Sequence, residues 1–471
     1  MSPTLHPNKP PLPTPPDAWA PLVRLRRAAA RPVERFLHVE AASGIMLLLA
    51  AAVALAWANS AWAGGYVSLW HTPLGLRVGA FSFERTLEWL VNDCLMVIFF
   101  FVVGMEIRRE VHHGELSEWR RAALPAAAAL GGTLAPAALY LTLAAAPETR
   151  SGWGVPMATD IAFAVGILTL LGKRVPAALR VLLLALAVID DLGAIIVIAI
   201  FYSAGVSLNG LFVAALGLAG IFAMQWIGVR SKVAYIAPSF VIWAGIYAAG
   251  IHPTIAGVII GLVTPVRAWL GPQGFVTGVK RELVHLEDGA DPPSTHELGV
   301  SLRNVDHARR EAMSPSESLI ATLHPWVAFG IMPTFALANA GVSVTTGAMD
   351  EHAWRVLTAV SVGLIVGKPL GVLAVSWLTL RLRIGVLPLG LTFRHLTVLG
   401  VVTGVGFTMA LFVAQLAFAD VQLLAAAKLG ILAASTGAAV LGLVLGRLLL
   451  PEKEPGEIAR TADEAESSTD L

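Results

Sequence analysis

Long apolar stretches recur along the whole chain and limit it to a protein that spans a lipid bilayer. Most are about 18 to 25 residues long, and an α-helix needs about 20 residues to cross the hydrocarbon core. Hydrophobic residues make up 56% of the chain and charged residues 14%, unlike a soluble globular protein. The segments lack the period-two alternation of membrane barrel strands. The sequence therefore predicts an all-α polytopic membrane protein with twelve transmembrane helices, at residues 41–59, 86–105, 122–145, 155–172, 177–202, 208–227, 232–250, 253–266, 319–340, 354–380, 395–418 and 427–450.

The basic residues between these helices predict the orientation, because cytoplasmic loops carry an excess of Lys and Arg. Every second connection is basic, from the segment before the first helix to the loop at 381–394, whereas 203–207 and 341–353 contain no Lys or Arg. Both termini are therefore predicted to be cytoplasmic. The net charge is only +1 and the basic residues form short clusters, so no nucleic acid partner is expected.

Two groups of three helices, the third to fifth and the tenth to twelfth, begin on opposite sides of the membrane and predict an inverted repeat. The middle helix of each group is discontinuous, interrupted by MATD at 157–160 and by TGVGFT at 403–408. Paired interruptions are the best sequence indicator of a transporter's binding site. Lone glycines in membrane helices also serve packing alone, so the pairing carries this interpretation.

The remaining segments organise the rest of the chain. The loop at 267–318 is long and cytoplasmic, and is predicted to be helical near 300–312. Two β-prone runs around 73–75 predict a periplasmic hairpin within 66–83. The predicted domains are a disordered cytoplasmic tail at 1–35, a transmembrane domain at 36–450 and a disordered acidic cytoplasmic tail at 451–471.

Several ionisable side chains lie near the middle of predicted helices, where each costs about 2.5 to 3.5 kcal/mol on insertion scales and requires a partner, water or a function. They are Asp93, Asp160, Asp190, Asp191 and Lys368. Adjacent helical residues point about 100° apart, so the carboxylates of Asp190 and Asp191 have different roles. We expect one to face an aqueous cavity and the other a partner, with Lys368 as the natural counter-charge.

Structural roles stay open for several of these residues. A salt bridge of Lys368 with an aspartate would also hold helices in register, and Asn92 could satisfy Asp93. For Asp160 an electrostatic role is preferred, since interrupted helices direct dipole ends at the membrane centre. Asp160 would neutralise the positive ends and Lys368 the negative ends. Direct ligation of a cation by Asp160 is the alternative.

Buried carboxylates of this kind predict exchange of a cation for a proton. Carboxylates and the carbonyls freed by broken helices are the oxygen ligands that a hard cation such as Na+ prefers. Removal from water favours the protonated carboxyl group, and protonation removes the charge that binds the cation. Cation and proton then compete for one site, which with alternating access gives antiport and predicts inhibition in acid.

Two other function classes fit parts of the pattern. A cation channel or uniporter would use the buried charges as a selectivity ring and would show flux without proton coupling. An intramembrane aspartyl protease would need two carboxylates astride one peptide bond. Adjacent Asp190 and Asp191 cannot take those positions, and Asp93 with Asp160 lacks an accompanying motif. We therefore expect neither an enzyme nor a cofactor.

Over residues 36–450 the chain resembles the NhaA family of bacterial sodium/proton antiporters. The resemblance rests on the blocks VNDCLMVIFFFVVGMEIRRE, GWGVPMATDIAFAVGILTLLGKRVP, ALAVIDDLGAIIVIAIFYS, GIHPTIAGVIIG, LHPWVAFGIMPTFALANAGV, VGKPLGV and TGVGFTMALFVAQLAF. It implies twelve helices, two crossing discontinuous helices and a cytoplasmic funnel to the ion site. It also implies a multi-pass protein of the bacterial inner membrane, electrogenic export of Na+ or Li+ against H+, lipid contact, and a homodimer through the 66–83 hairpin.

The resemblance also implies roles for individual residues. Asp191 would bind the cation, with Asp190 as its neighbour in the site and as the salt-bridge partner of Lys368. The other positions that it carries over are Thr159 and Asp160 at the broken helix, Glu106 at the funnel mouth with Asp93 as an accessory, and His252 and Glu110 for the pH response.

One departure from the family pattern concerns the pH response. The family commonly has an acidic residue followed by His or Ala shortly before the His-Pro-Trp of the ninth helix. Here Ile320 and Ala321 stand there, with Glu317 nearer the loop. His252 matches another position tied to pH response, although an isolated histidine is more often structural.

Overall fold

The structure is a computed structural model that describes residues 40–78, 81–203, 205–229, 231–287, 294–343 and 349–452. Most of these residues are helical. A 3-10 segment, Arg150–Met157, precedes α5, and a second, Lys232–Tyr235, precedes α8. The helices in chain order are α1 Glu40–Ala58, α2 Ala63–Trp70, α3 Leu87–His113, α4 Trp119–Leu143, α5 Ile161–Leu170, α6 Ala177–Phe201, α7 Leu208–Ile227, α8 Ile236–Ala248, α9 Thr254–Val263, α10 Gly271–Glu287, α11 Thr295–Ala312, α12 Pro315–Asn339, α13 Glu351–Arg381, α14 Phe393–Val402, α15 Phe407–Ala417 and α16 Val421–Leu449.

A polytopic helical membrane protein is confirmed, and every predicted span coincides with helix. Within the part of the chain that the structure describes, eight helical segments are long and apolar enough to cross a bilayer, or up to ten when α1 with α2 and α14 with α15 each count as one bent span. The bends are 116° and 47°. The segments Lys232–Ala248 and Thr254–Val263 are apolar but shorter. The count of twelve and the inverted repeat therefore stay predictions.

The hairpin predicted in 66–83 is present, but its turn was placed wrongly. Strand β1, Pro73–Val78, pairs antiparallel with β2, Phe81–Thr86, and Pro73 lies opposite Thr86. Residues 73–75 thus begin a strand, and 66–70 belong to α2. Proline is tolerated at the first position of a strand, so it marked the start of the hairpin and not its turn.

The 267–318 loop is more helical than the prediction of helix near 300–312. It folds into an antiparallel pair, α10 and α11, and the amide N–H of Leu270 donates to the carbonyl of Glu311 at 3.0 Å. Ser294 and Glu297 form a capping box at the start of α11, which explains why that helix begins there. The predicted tail at 1–35, and residues 453–471 of the other tail, lie outside the described residues.

Close backbone contacts hold the short helix α9 against α3. A Cβ at Gly257 or Gly261 would meet the backbone of α3 around Val97, Phe101 and Gly104. Small residues permit such approaches in membrane helices, where packing rather than water exclusion drives association. Helix α3 also packs against α6, which carries the two adjacent aspartates.

Candidate functional site

The two predicted interruptions lie in direct contact. Residues 158–160 separate the 3-10 segment from α5, and residues 403–406 separate α14 from α15. The amide N–H of Asp160 donates to the carbonyl of Val405 at 2.8 Å, so the breaks share a backbone hydrogen bond. Several spanning segments therefore present free backbone groups at one buried place.

Asp160 bonds to the beginnings of two helices at once. Its Oδ1 accepts the amide N–H of Phe163 at 3.1 Å and thus caps α5. Its Oδ2 accepts the amide N–H of Thr408 at 3.1 Å and the Thr408 hydroxyl at 2.5 Å, in the first turn of α15. The side chain is buried. A carboxylate in this position satisfies amide groups that have no partner within their own helices and opposes both positive dipole ends.

Asp190 on α6 is fully occupied by partners. Its Oδ2 lies 2.6 Å from the Nζ of Lys368 and accepts the Thr159 hydroxyl at 2.5 Å. Its Oδ1 accepts the Thr133 hydroxyl at 3.3 Å. Lys368 also donates to the carbonyl of Met157, the last residue of the 3-10 segment. The lysine therefore contacts both a carboxylate and the negative end of a broken helix.

Asp191, the next residue, has a different environment. It is only 3% exposed, yet among the residues that the structure describes its carboxylate has no hydrogen-bond or ion-pair partner. The charges that act on it are those of Asp190, Glu106, Lys368 and Asp160. The roughly 100° between neighbours on a helix directs one carboxylate to Lys368 and leaves the other unpaired.

Two of the predicted accessory residues lie on α3. Asp93 contacts His252, with Oδ1 and Nε2 3.4 Å apart. Asn92 was a possible partner for Asp93, but it bonds instead to Asn339, whose Nδ2 donates to its Oδ1 at 2.8 Å. Glu106 is half-buried nearer the other end of α3, and its charge acts on Asp191.

The positions connected with pH response do not gather at one place. The Nδ1 of His252 lies 2.8 Å from the Thr254 hydroxyl, and its ring packs edge-on against Phe412 of α15. Glu110 lies near the end of α3, where its Oε1 accepts the amide N–H of Glu115 at 2.7 Å. Ile320 is buried within α12.

Sequence reasoning missed three contributors. Thr133 and the carbonyl of Met157 complete the surroundings of Asp190 and Lys368, and Thr408 links Asp160 to α15. Thr408 is the last residue of the predicted break at 403–408, and that position was an available signal. Thr133 is one hydroxyl in an apolar helix 57 positions from its partner, and nothing in its neighbourhood indicated that contact.

Chemically, the site holds an internally neutralised pair beside one unpaired carboxylate. A buried carboxylate without a counter-charge is costly and is stabilised by taking up a proton or a cation. Carboxylate, hydroxyl and carbonyl oxygens lie together at the breaks and are suitable ligands for a hard cation. The arrangement can therefore bind either species, one at a time.

Comparisons with known proteins agree in naming one family. Residues 34–445 match the family model described as Na+/H+ antiporter 1. A protein named Na(+)/H(+) antiporter NhaA 2 from Myxococcus xanthus (strain DK1622) is 70% identical, over 100% of both chains. Proteins of the same name from Sorangium cellulosum (strain So ce56) and Pseudomonas putida (strain KT2440) are 56% and 50% identical, over 97% and 90% of this chain and 98% and 94% of theirs.

Proposed function

Because the chain belongs to the Na+/H+ antiporter 1 family, whose members are transporters and not enzymes, we propose that it exchanges Na+ for H+ across the bacterial cytoplasmic membrane. The observation that carries this proposal is the unpaired, buried carboxylate of Asp191 beside the neutralised pair of Asp190 and Lys368. A static pore for cations would not require such a balance of charges.

Asp191 is the proposed site of competition. With Asp190 and Lys368 balanced, one net negative charge remains, and either a proton or Na+ neutralises it. A proton on Asp191 removes the charge that attracts Na+, and bound Na+ disfavours protonation. Each species therefore displaces the other, and acid on both sides of the membrane inhibits transport. Li+, another hard monovalent cation, is proposed as an alternative substrate.

Asp190 and Lys368 are proposed to make the exchange electrogenic. When Na+ is bound by both carboxylates, its charge replaces that of the Lys368 ammonium beside Asp190, and the lysine is then free to release a proton. Together with the proton from Asp191, more than one H+ leaves for each Na+ that binds. Asp160 is proposed to compensate the dipole ends of α5 and α15 throughout the cycle and not to ligate the ion.

The accessory positions and the orientation complete the proposal. Both termini are proposed to lie in the cytoplasm, and Glu106 is proposed to line the cytoplasmic funnel. Protonation of His252 would change its contact with Asp93 beside α15, and Glu110 is proposed to report pH at the end of α3. The β1–β2 hairpin is the proposed contact between two copies in a homodimer.

The proposal is tested by measuring Na+/H+ exchange of the Asp191→Asn variant in everted membrane vesicles. We expect Na+-induced collapse of an imposed pH gradient to fall by more than tenfold, because the amide cannot carry the charge or the proton. Asp350→Asn is the matched control. Asp350 caps α13 through the amide N–H of Ala353 at 2.8 Å, and asparagine caps helices equally well.

Several outcomes would contradict the proposal. Undiminished exchange by Asp191→Asn would remove Asp191 from the mechanism. Na+ uptake that follows the membrane potential without proton movement in the wild-type protein would identify a uniporter or channel instead.

A further inference from the structure

A group of polar side chains outside the ion site joins three helix ends. The Nδ2 of Asn339, at the end of α12, donates to Asn92 of α3 at 2.8 Å and to the carbonyl of Phe335 at 2.9 Å. The Nε2 of Gln415, near the end of α15, donates to the Oδ1 of Asn339 and lies 3.5 Å from the Oε1 of Glu88. We call Glu88, Asn92, Asn339 and Gln415 the outer amide cluster. None of these side chains contacts Asp190, Asp191 or Lys368.

The cluster connects the helices of the site to their neighbours. Gln415 lies on α15, about 10 Å along the helix from Thr408, which contacts Asp160. The charge of Glu88 also attracts Lys428 of α16. The other residues of the cluster lie on α3 and α12, which are separate from the broken helices. Movement of α15 relative to α3 and α12 therefore requires the bonds of Gln415 to Asn339 and Glu88 to break.

Two of the three helix ends that carry the cluster, those of α12 and α15, are followed by segments without Lys or Arg. The connection that follows α12, at 341–353, has no basic residue. In the proposed topology these ends face the extracytoplasmic side, whereas Glu106 lies towards the opposite end of α3. In this topology the cluster thus lies on the extracytoplasmic side of the ion site.

We propose that the outer amide cluster is the latch of the extracytoplasmic gate, with Gln415 as its positioning residue. This inference rests on the proposed Na+/H+ exchange, because alternating access requires a barrier on each side that opens in turn. Neutral amide bonds suit a reversible barrier. Their net contribution is modest, since water can replace each partner once the contact opens.

The size of the effect follows from the energetics of a hydrogen bond. Loss of one neutral bond shifts an equilibrium by about two- to tenfold. A greater population of the outward-open state raises the apparent affinity for Na+ from outside by the same factor. The ratio of the outer to the inner half-saturating Na+ concentration should therefore fall about two- to tenfold.

The test is Gln415→Met, which keeps the length of the side chain and removes the amide. Na+-dependent proton flux is measured in right-side-out and in everted vesicles. The control is Gln225→Met, because the Nε2 of Gln225 donates to the carbonyl of Val263 at 2.9 Å, between α7 and α9 and away from α15. We expect the ratio to fall in Gln415→Met and to stay at the wild-type value in Gln225→Met.

An unchanged ratio in Gln415→Met, or the same change in both variants, would contradict the proposed latch. It would not contradict the proposed Na+/H+ exchange. Absence of Na+-dependent proton flux in the wild-type protein would instead refute the proposed function. If Gln415→Met does not reach the membrane, Glu88→Gln is measured in the same way. It keeps the side-chain volume but replaces the charged acceptor of the Gln415 amide by a neutral one, which weakens that bond, so a fall of the ratio is again required.

Discussion

The pair of Asp190 and Lys368 allows a prediction about stability that is independent of transport. Their side chains are 2% and 1% exposed, and the charged atoms lie 2.6 Å apart. Lys368→Met keeps most of the side-chain volume but leaves the Asp190 carboxylate buried with only the Thr159 and Thr133 hydroxyls. Removing one partner of a buried pair costs about 3 to 5 kcal/mol, because the other charge stays out of water without compensation.

Asp190→Asn should destabilise by a similar amount, since it leaves the Lys368 ammonium with the Met157 carbonyl and a neutral amide. The double variant removes both charges and with them the cost of burying either one. We therefore expect it to be more stable than either single variant, so that the single effects are not additive. The interaction energy should be about 3 kcal/mol.

Thermal unfolding of the purified protein in detergent measures these effects. At about 1 °C per kcal/mol for a chain of 471 residues, each single variant should lower the midpoint by roughly 3 to 5 °C. Arg355→Met is the control, because its pair with Glu351 is exposed and contributes about 1 kcal/mol at most. A double variant that melts at the temperature given by the sum of the single effects would refute the reasoning.

Two further predictions concern packing and pH. Gly371→Ala should destabilise the protein by about 1 to 3 kcal/mol, because its Cβ would overlap the backbone of Gly131 on α4. Gly330 has open space around it, so Gly330→Ala should be neutral or slightly stabilising in the same thermal assay. The Ser294 backbone N–H, a donor at 2.9 Å, holds the pKa of Glu297 below its ordinary value of 4.5. The capping box therefore stabilises α11 above that value and is lost as the pH falls through the lowered pKa. The protection of the amides in the first turn of α11 against exchange, relative to the intrinsic exchange rate at each pH, should fall in acid in the wild-type protein and not in Glu297→Gln, and an equal fall in both would contradict this assignment.

The sequence predicted the membrane-spanning helices well because a bilayer imposes a simple length rule on each segment separately. It also located both interruptions, since 157–160 and 403–408 stand out against uniformly apolar neighbours. The hairpin was harder: Pro73 is typical of a turn and of a strand start, and only pairing with β2 distinguishes the two. The helical content of the 267–318 loop was predicted too low because its helices are polar and their clearest local signal is the capping residues.

The candidate residues could be listed from the sequence because buried charges are costly in a membrane and therefore rare. Their partners could not be listed in the same way. Asn92 is adjacent to Asp93 in the sequence, yet His252, distant along the chain, lies beside the carboxylate. Neighbouring residues on a helix point in different directions, so proximity in sequence does not predict a contact between their side chains.

The sequence by itself determined that the chain crosses the membrane repeatedly, where its helices break, and which few charges lie within it. Only the tertiary structure decided that Asp190 is paired, that Asp191 is not, and that Asp160 bonds to the first turns of both α5 and α15. The physical reason is the range of each constraint. Hydropathy acts on one segment at a time, whereas a hydrogen bond or an ion pair depends on distances of about 3 Å between segments that only the packed helices bring together.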